Sequence, residues 1–324
     1  MDMSVNGSIS RPIQIFQIVV YTPTFMFGFI LNICAIWILL TKIKKWTTLT
    51  IYLVNLILND CLLLFTLPFK IHAYKVGMWS LGRLFCSFLE SLHFVNIYGS
   101  ILIITCIAFD RYLAIRHPFS ARALRSPLKA ALVCGVVWII LFSASTESYK
   151  NTSNRTSCFY GFSHELWKKL WLVLIIEVVF VGSAIIMTFC SVEIIRTLTD
   201  RNTKLDWHKL RNSKSIKIVL ANLLTFLVCF IPYHVAVFVY FLVKNKVITS
   251  NSDTPRNIVI VTMCISSINC LLDALCYYFI LKEHWKINSK DATAQREVHS
   301  SQDEQPKNKS LTEYNYCTLK WQKF

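Results

Sequence analysis

The 324-residue chain is 54% hydrophobic and only 16% charged, with a mean hydropathy of +0.48. Soluble domains carry about 25% charged residues, so water is excluded as the main solvent of this chain. The formal net charge of +16 does not by itself point to nucleic acid, because many of the cations sit in short links between apolar blocks.

The opening residues, "MDMSVNGSISRP", lack the basic start and short apolar core of a cleavable signal. The first apolar block is therefore read as its own uncleaved anchor. That block runs near 15–40, and six more follow near 49–71, 84–107, 128–145, 170–195, 216–243 and 258–281. Each approaches or exceeds the roughly 20 residues that cross a bilayer core as helix. Backbone polar groups must be paired within each segment in lipid, and the ten-residue alternation of a β-barrel strand is absent. The reading is an all-α membrane protein, a seven-transmembrane helix bundle over 15–281. Residues 1–14 form an extracellular N-terminus, "KEHWKINSK" at 282–290 a short amphipathic interfacial helix, and 291–324 a disordered cytoplasmic tail.

Two signals set the orientation. Glycosylation acceptors stand at Asn6, Asn151 and Asn154, before span one and between spans four and five, which lie on one side. Basic links fall on the other side: "KIKK" at 42–45, "RHPFSARALRSPLK" at 116–129 and the run 200–217. The N-terminus is outside. Asn308 also matches the acceptor pattern but lies on the inner side, as a chance match. Asp110 and Arg111 then sit at the cytoplasmic mouth of span three. Charge beside hydrocarbon marks function or, more plainly, a side chain reaching for the interface.

Asp110-Arg111-Tyr112, with Cys86 at the outer end of the same span, resembles the rhodopsin-like G-protein-coupled receptors. The likeness extends over nearly the whole chain through Asn32, Asp60, "LPF" at 67–69, Trp79, Trp138, "FLVCFIP" at 226–232 and "DALCY" at 273–277. Within the family it is most similar to the branch of the lysophosphatidylinositol receptor and the kynurenic-acid-type orphan receptor. "VNIYGS", "FDRYLAIRHP", "DWHK", "FLVKN" and "SINCLLDALCYYFILKE" carry that likeness.

The resemblance implies a plasma-membrane receptor that passes an extracellular signal to a heterotrimeric G protein, with Rho-activating Gα subunits and calcium signalling expected. Asp110 would hold Arg111 at rest, and activation would swing span six outward and free Arg111 toward Gα. Tyr112, Phe119 and Tyr277 join this coupling set, Phe226, Phe230 and Pro232 form the switch in span six, and arrestin and receptor kinases would meet the tail. Asp60, Ser100, Asn269 and Asp273 match positions that surround an allosteric sodium ion, for which hard oxygen ligands are suited. The rival is a protonated Asp60 bonded to Asp273, since close carboxylates resist ionising together. No other cofactor is expected. Cys86 and Cys158 lie outside, where disulfides persist, and are expected to pair.

This chain departs from the family pattern where Phe230 replaces a tryptophan, Ser183 a proline and Ser191 a tyrosine, and where Asp273 precedes Ala274 instead of proline. Without proline the backbone of span seven keeps its hydrogen bond and should kink less there.

The outer face carries more cations than acids, which favours an anionic ligand, although most of these cations are read as scattered solvated charges and Lys70, near the top of a span, as the exception. Lys70, Arg256 and Arg83 are candidates for an anionic headgroup, with Glu90 able to pair with Lys70 when no ligand is bound. By the resemblance, His93 stands where aminergic receptors place an aspartate, so an amine ligand is not expected. Phe94, Tyr98, Tyr233, Phe238 and Phe241 are available to line an apolar channel, or simply to pack. A lysophosphatidylinositol-like lysophospholipid is the expected ligand, and a small anionic aromatic acid of the tryptophan-metabolite kind the alternative. A transporter would show repeats and interrupted helices, and an enzyme a ligand set or activated nucleophile; neither is present.

Overall fold

A computed structural model of the chain describes residues 10–42, 46–77, 79–119, 121, 125–150, 158–159, 170–201, 214–248 and 253–275. Asn6, Asn151, Asn154, Tyr277, the 282–290 segment and the tail lie outside the described residues. The helices belong to one unit, Met1–Leu281, and Lys282–Phe324 is a separate one.

The helices are α1 Arg11–Lys42, α2 Thr48–Val76, α3 Arg83–Arg116, α4 Pro127–Lys150 and α5 Leu170–Arg201. α6 runs as Lys214–Thr225, a π-helical turn Phe226–Phe230, and Ile231–Lys244; α7 begins as Asp253–Ser266. Seven of these stretches are long and apolar enough to cross a membrane, the last spanning Thr254–Leu275. That agrees with the seven blocks read from the sequence.

Local chemistry explains the ends and the irregularities. Thr47 caps α2, its hydroxyl accepting the Thr50 amide at 3.2 Å, and Gly77 closes it in the left-handed region at φ 74°. Pro232 has no N–H to give to the preceding turn, and the ladder widens into the π-turn just before it. α7 departs from α geometry without any proline. The Ser266 and Ser267 hydroxyls both donate to the Met263 carbonyl, at 2.8 and 3.1 Å. The Ser267 and Ile268 amides turn instead to Cys264 and Ile265, three residues back, and the helix tightens at 267–268. The irregularity thus lies about one and a half turns before Asp273–Ala274, the place where the family's proline is missing.

α3 is the most enclosed helix, with residues such as Leu92, Val95, Ile101 and Ile104 buried against α2, α4 and α5. Leu132 and Ile139 of α4, Val178 and Ile185 of α5 and Phe27 of α1 point outward, as lipid-facing residues should. Apolar attraction between helices is weak when the solvent is itself apolar, so close packing and polar ties set the arrangement. Asn59 and Asn96 exchange bonds across α2 and α3, each amide nitrogen donating to the other's backbone carbonyl at 2.9 and 3.1 Å. Gly99 permits that approach, since a Cβ there would stand 2.5 Å from Asn59 Oδ1. Trp138 of α4 donates to Asn55 of α2 at 2.9 Å, and Asn32 of α1 reaches the Cys270 carbonyl of α7 at 3.4 Å.

Candidate functional site

Among the described residues, polar clusters interrupt the apolar interior at each end and at the centre. At the cytoplasmic end the Asp110 carboxylate, only 4% exposed, binds Arg111 through both Nε, at 3.1 Å, and Nη2. The expected pair is therefore present. It is also incomplete as an account, because Arg125 forks onto the same carboxylate, Nε to Oδ1 at 2.7 Å and Nη2 to Oδ2 at 3.0 Å. Tyr112 leans away from this cluster, its hydroxyl 3.2 Å from His117 Nε2 and its ring against Phe189 of α5. Phe119 is 88% exposed on the link that follows α3.

At the centre, Asp60, Ser100, Asn269 and Asp273 are all fully buried. Ser100 Oγ accepts from Asn59 Nδ2 and from Asn269 Nδ2, both at 2.9 Å, so its lone pairs are engaged. Among the described residues no donor meets the carboxylate oxygens of Asp60 and Asp273 or the amide oxygens of Asn59 and Asn269. Buried acceptors left unmet are strongly unfavourable. A hard cation is the group their chemistry fits. The oxygens available to it are those of Asp60, Asp273, Asn59 and Asn269 rather than that of Ser100.

At the outer end Lys70 is 1% exposed. Its ammonium lies 5.5 Å from the Tyr21 ring centroid and 5.4 Å from that of Phe159, a cation–π cage. Among the described residues no carboxylate lies within ion-pair distance of it. Glu90, the anticipated partner, acts on Lys70 from beyond ion-pair distance, and its Oε1 accepts the Phe159 amide at 3.2 Å. The expected disulfide joins Cys86 to Cys158, with Cα atoms 5.7 Å apart, and delivers Phe159 over Lys70. Glu90 lies beside those two sulfurs, but their mutual bond removes them as metal ligands. Phe159 adopts φ 68°, a left-handed conformation unfavourable for a bulky residue and sustained by the bonds on either side of it. Tyr74 and Trp79 pack edge-on against its ring. His93 is buried, and among the described residues neither ring nitrogen meets a hydrogen-bond partner. Arg83 is exposed at the start of α3, and Arg256 is half-buried in the first turn of α7.

Deeper, Tyr98 packs on Phe94 at 4.6 Å and edge-on to His234 at 5.7 Å, and Tyr233 also meets His234 edge-on at 5.3 Å. His234 stacks on Phe180 at 3.8 Å, Phe180 on Phe226 at 5.4 Å, and Phe226 meets Phe230 edge-on at 5.8 Å. A ladder of rings thus leads from the candidate channel to the π-turn before Pro232. Glu177 of α5 anchors it, Oε1 lying 3.3 Å from His234 Nδ1. Phe241 is buried, while Phe238 is largely exposed. The sequence reading does not single out Glu177 or His234 as site residues. Glu177 nevertheless carries a signal of its own, as the only charged residue in the apolar run 170–192.

Comparison with known proteins agrees with this layout. The family model for the 7 transmembrane receptor (rhodopsin family) matches residues 31–277. Lysophosphatidic acid receptor 6 of Gallus gallus is 35% identical over 289 residues, 85% of this chain and 93% of that protein. Lysophosphatidic acid receptor 4 of Mus musculus is 36% identical, over 82% of this chain and 75% of its own. G-protein coupled receptor 35 of Homo sapiens is 32% identical, over 85% and 87% respectively.

Proposed function

The chain belongs to the rhodopsin family of seven-transmembrane receptors, is a multi-pass plasma-membrane protein and not an enzyme, and on that premise we propose that it answers an extracellular anionic lysophospholipid. One observation carries the ligand class. Lys70 is a buried cation with no carboxylate in ion-pair contact among the described residues, Glu90 acting on it only from beyond that distance, and it is roofed by aromatic rings at the outer end of the bundle. A phosphate or carboxylate headgroup supplies the missing charge. The named activity of the relatives supports a lysolipid, and Phe94, Tyr98 and Tyr233 supply apolar surface below the cage for an acyl chain. The Tyr21–Phe159 cage also suits a flat aromatic acid, which makes a tryptophan-metabolite-like anion the second reading.

A ligand shifts a receptor only through differential affinity for its two states. Here it would bear on the ring ladder, which ends at the π-turn where α6 is free to bend, and α6 movement would uncover Arg111 for Gα. Rho-activating Gα subunits and calcium release are the proposed outputs, with arrestin and receptor kinases engaging the tail. Arg83 and Arg256 would attract the headgroup before it reaches Lys70.

The test is guanine-nucleotide exchange on a panel of Gα subunits, with a lysophospholipid chain-length series and aromatic acids as probes. Potency is expected to fall by about 0.8 kcal/mol, roughly fourfold, per methylene removed. A response to aromatic acids alone would favour the second reading, and exchange on no heterotrimer under any probe would end the receptor proposal for signalling.

The central cluster is proposed to hold sodium through Asp60, Asp273, Asn59 and Asn269. When bound, the ion supplies a fixed positive charge joining α2 and α7 in the resting arrangement. In Asp60→Asn the suppression of basal exchange by sodium is expected to disappear at matched surface expression. A sodium titration identical to wild type would leave the protonated-carboxylate alternative.

A further inference from the structure

Asp110 faces two guanidinium groups, and they hold it unequally. Arg125 binds both carboxylate oxygens, Nε to Oδ1 at 2.7 Å and Nη2 to Oδ2 at 3.0 Å, in the two-pronged geometry that suits a carboxylate best. Arg111 reaches Oδ2 alone. The backbone of Arg125 is itself held in place. Its amide donates to the Ala121 carbonyl at 2.8 Å, and the Ala121 amide donates to that of His117 at 2.9 Å. The link that bears the exposed Phe119 is thereby tied to the inner end of α3.

We infer that Arg125 is a positioning residue for coupling: it retains Asp110 when Arg111 leaves, and so makes that departure possible. The inference rests on Arg111 being the group freed toward Gα. The reason is electrostatic. Asp110 is nearly fully buried, and a buried carboxylate stripped of its partner is strongly unfavourable. With Arg125 in place, releasing Arg111 leaves a complete two-bond ion pair behind. Without Arg125, Arg111 becomes the sole counter-ion and cannot leave without stranding the charge. Arg125 therefore acts opposite to a lock. A second basic residue on the resting-state carboxylate would ordinarily be read as reinforcement of the closed form, yet the geometry makes it the residue that lowers the barrier to opening. Its side chain is 27% exposed, against 15% for Arg111, so it remains at the surface of the cavity that Gα would enter.

The experiment compares wild type with Arg125→Ala, Arg125→Lys, Asp110→Asn and the Arg125→Ala/Asp110→Asn double variant in the full chain, at matched surface expression. Ligand-independent exchange on the Gα panel is expected to fall roughly tenfold in Arg125→Ala, the scale of a lost charge-assisted pair. Arg125→Lys restores part of it, Asp110→Asn raises exchange, and adding Arg125→Ala to Asp110→Asn changes exchange by less than about twofold, because coupled residues lose their effects together. Higher exchange in Arg125→Ala would overturn the inference in favour of joint locking. An undiminished fall in the Asp110→Asn background would overturn it in favour of simple loop anchoring. A second readout needs no G protein: spin-label distances between Leu128→Cys and Leu220→Cys, in a Cys34→Ser/Cys317→Ser background. Arg125→Ala is expected to deplete the long-distance, open population, and an unchanged or widened distribution would contradict the inference. Should wild type load nucleotide onto no heterotrimer, the receptor proposal fails on its own, and the label distances still decide the role of Arg125.

Discussion

Lys70→Met abolishes the response to acidic lysophospholipids at sub-saturating concentration, lowering their potency by about 30-fold or more, and at the same time raises the melting temperature of the ligand-free protein. Both halves follow from the same charge. Removing one partner from a desolvated ion pair costs about 2–5 kcal/mol, because the other partner is left buried and unpaired. Before ligand arrives, that penalty is borne by the receptor itself. The rings of Tyr21 and Phe159 offset part of it, about 2 kcal/mol for a desolvated cation–π contact, but no described carboxylate lies within ion-pair distance. Methionine keeps most of the apolar stem and discards the charge, so the resting protein should gain roughly 1–4 kcal/mol, as when buried ionic groups give way to apolar ones. Dose–response curves and thermal unfolding of purified protein check the two halves. Retained potency would remove Lys70 from the ligand site, and unchanged melting would mean that its charge is neutralised by another group.

Cys158→Ser is the other large effect: surface abundance falls to a small fraction of wild type, and the molecules that do reach the surface lose ligand response. The disulfide spans a separation of 72 residues, and closing a loop of that length contributes about 4 kcal/mol in the chain-entropy treatment. A local effect adds to the global one. Phe159 is held in a left-handed conformation between Cys158 and the hydrogen bond from its amide to Glu90. With Cys158 released, Phe159 relaxes toward ordinary backbone geometry and the cage over Lys70 opens. Cys86→Ser should match Cys158→Ser, and the double change should be no worse than either, since both remove one bond. Surface immunolabelling and ligand binding measure this. Full binding by well-expressed Cys158→Ser would show that the roof is dispensable.

The sequence makes some of these features legible and hides others, for physical reasons. Seven spans are readable because hydrocarbon thickness imposes a length on every one of them, and the structure returns the same seven. Asp110–Arg111 is readable because charge at a membrane mouth is rare enough to stand out. Arg125 is not, since a cation in an inner link satisfies the positive-inside pattern and raises no further question. Its role depends on how the link folds back over 15 residues to α3. Glu90 shows the converse difficulty: an acid at the right depth for Lys70 is claimed by a backbone amide from a loop that no helical periodicity could position. Asn59 is hidden by its neighbour. Beside Asp60 it passes as an ordinary polar residue, and only the contact permitted by Gly99 reveals that it joins the central cluster.

The serine pair of α7 has a mechanical consequence. Where proline bends a helix the distortion is covalent and permanent, but hydroxyl groups let go of a carbonyl by a single χ1 rotation. If Ser266 and Ser267 swing away, the Met263 carbonyl regains an amide donor and the rod straightens; if they swing back, the turn narrows and stretches along its axis again. The seventh span thereby carries an irregularity governed by hydroxyl groups, close before Asn269 and Asp273, that can be undone without breaking its main-chain continuity.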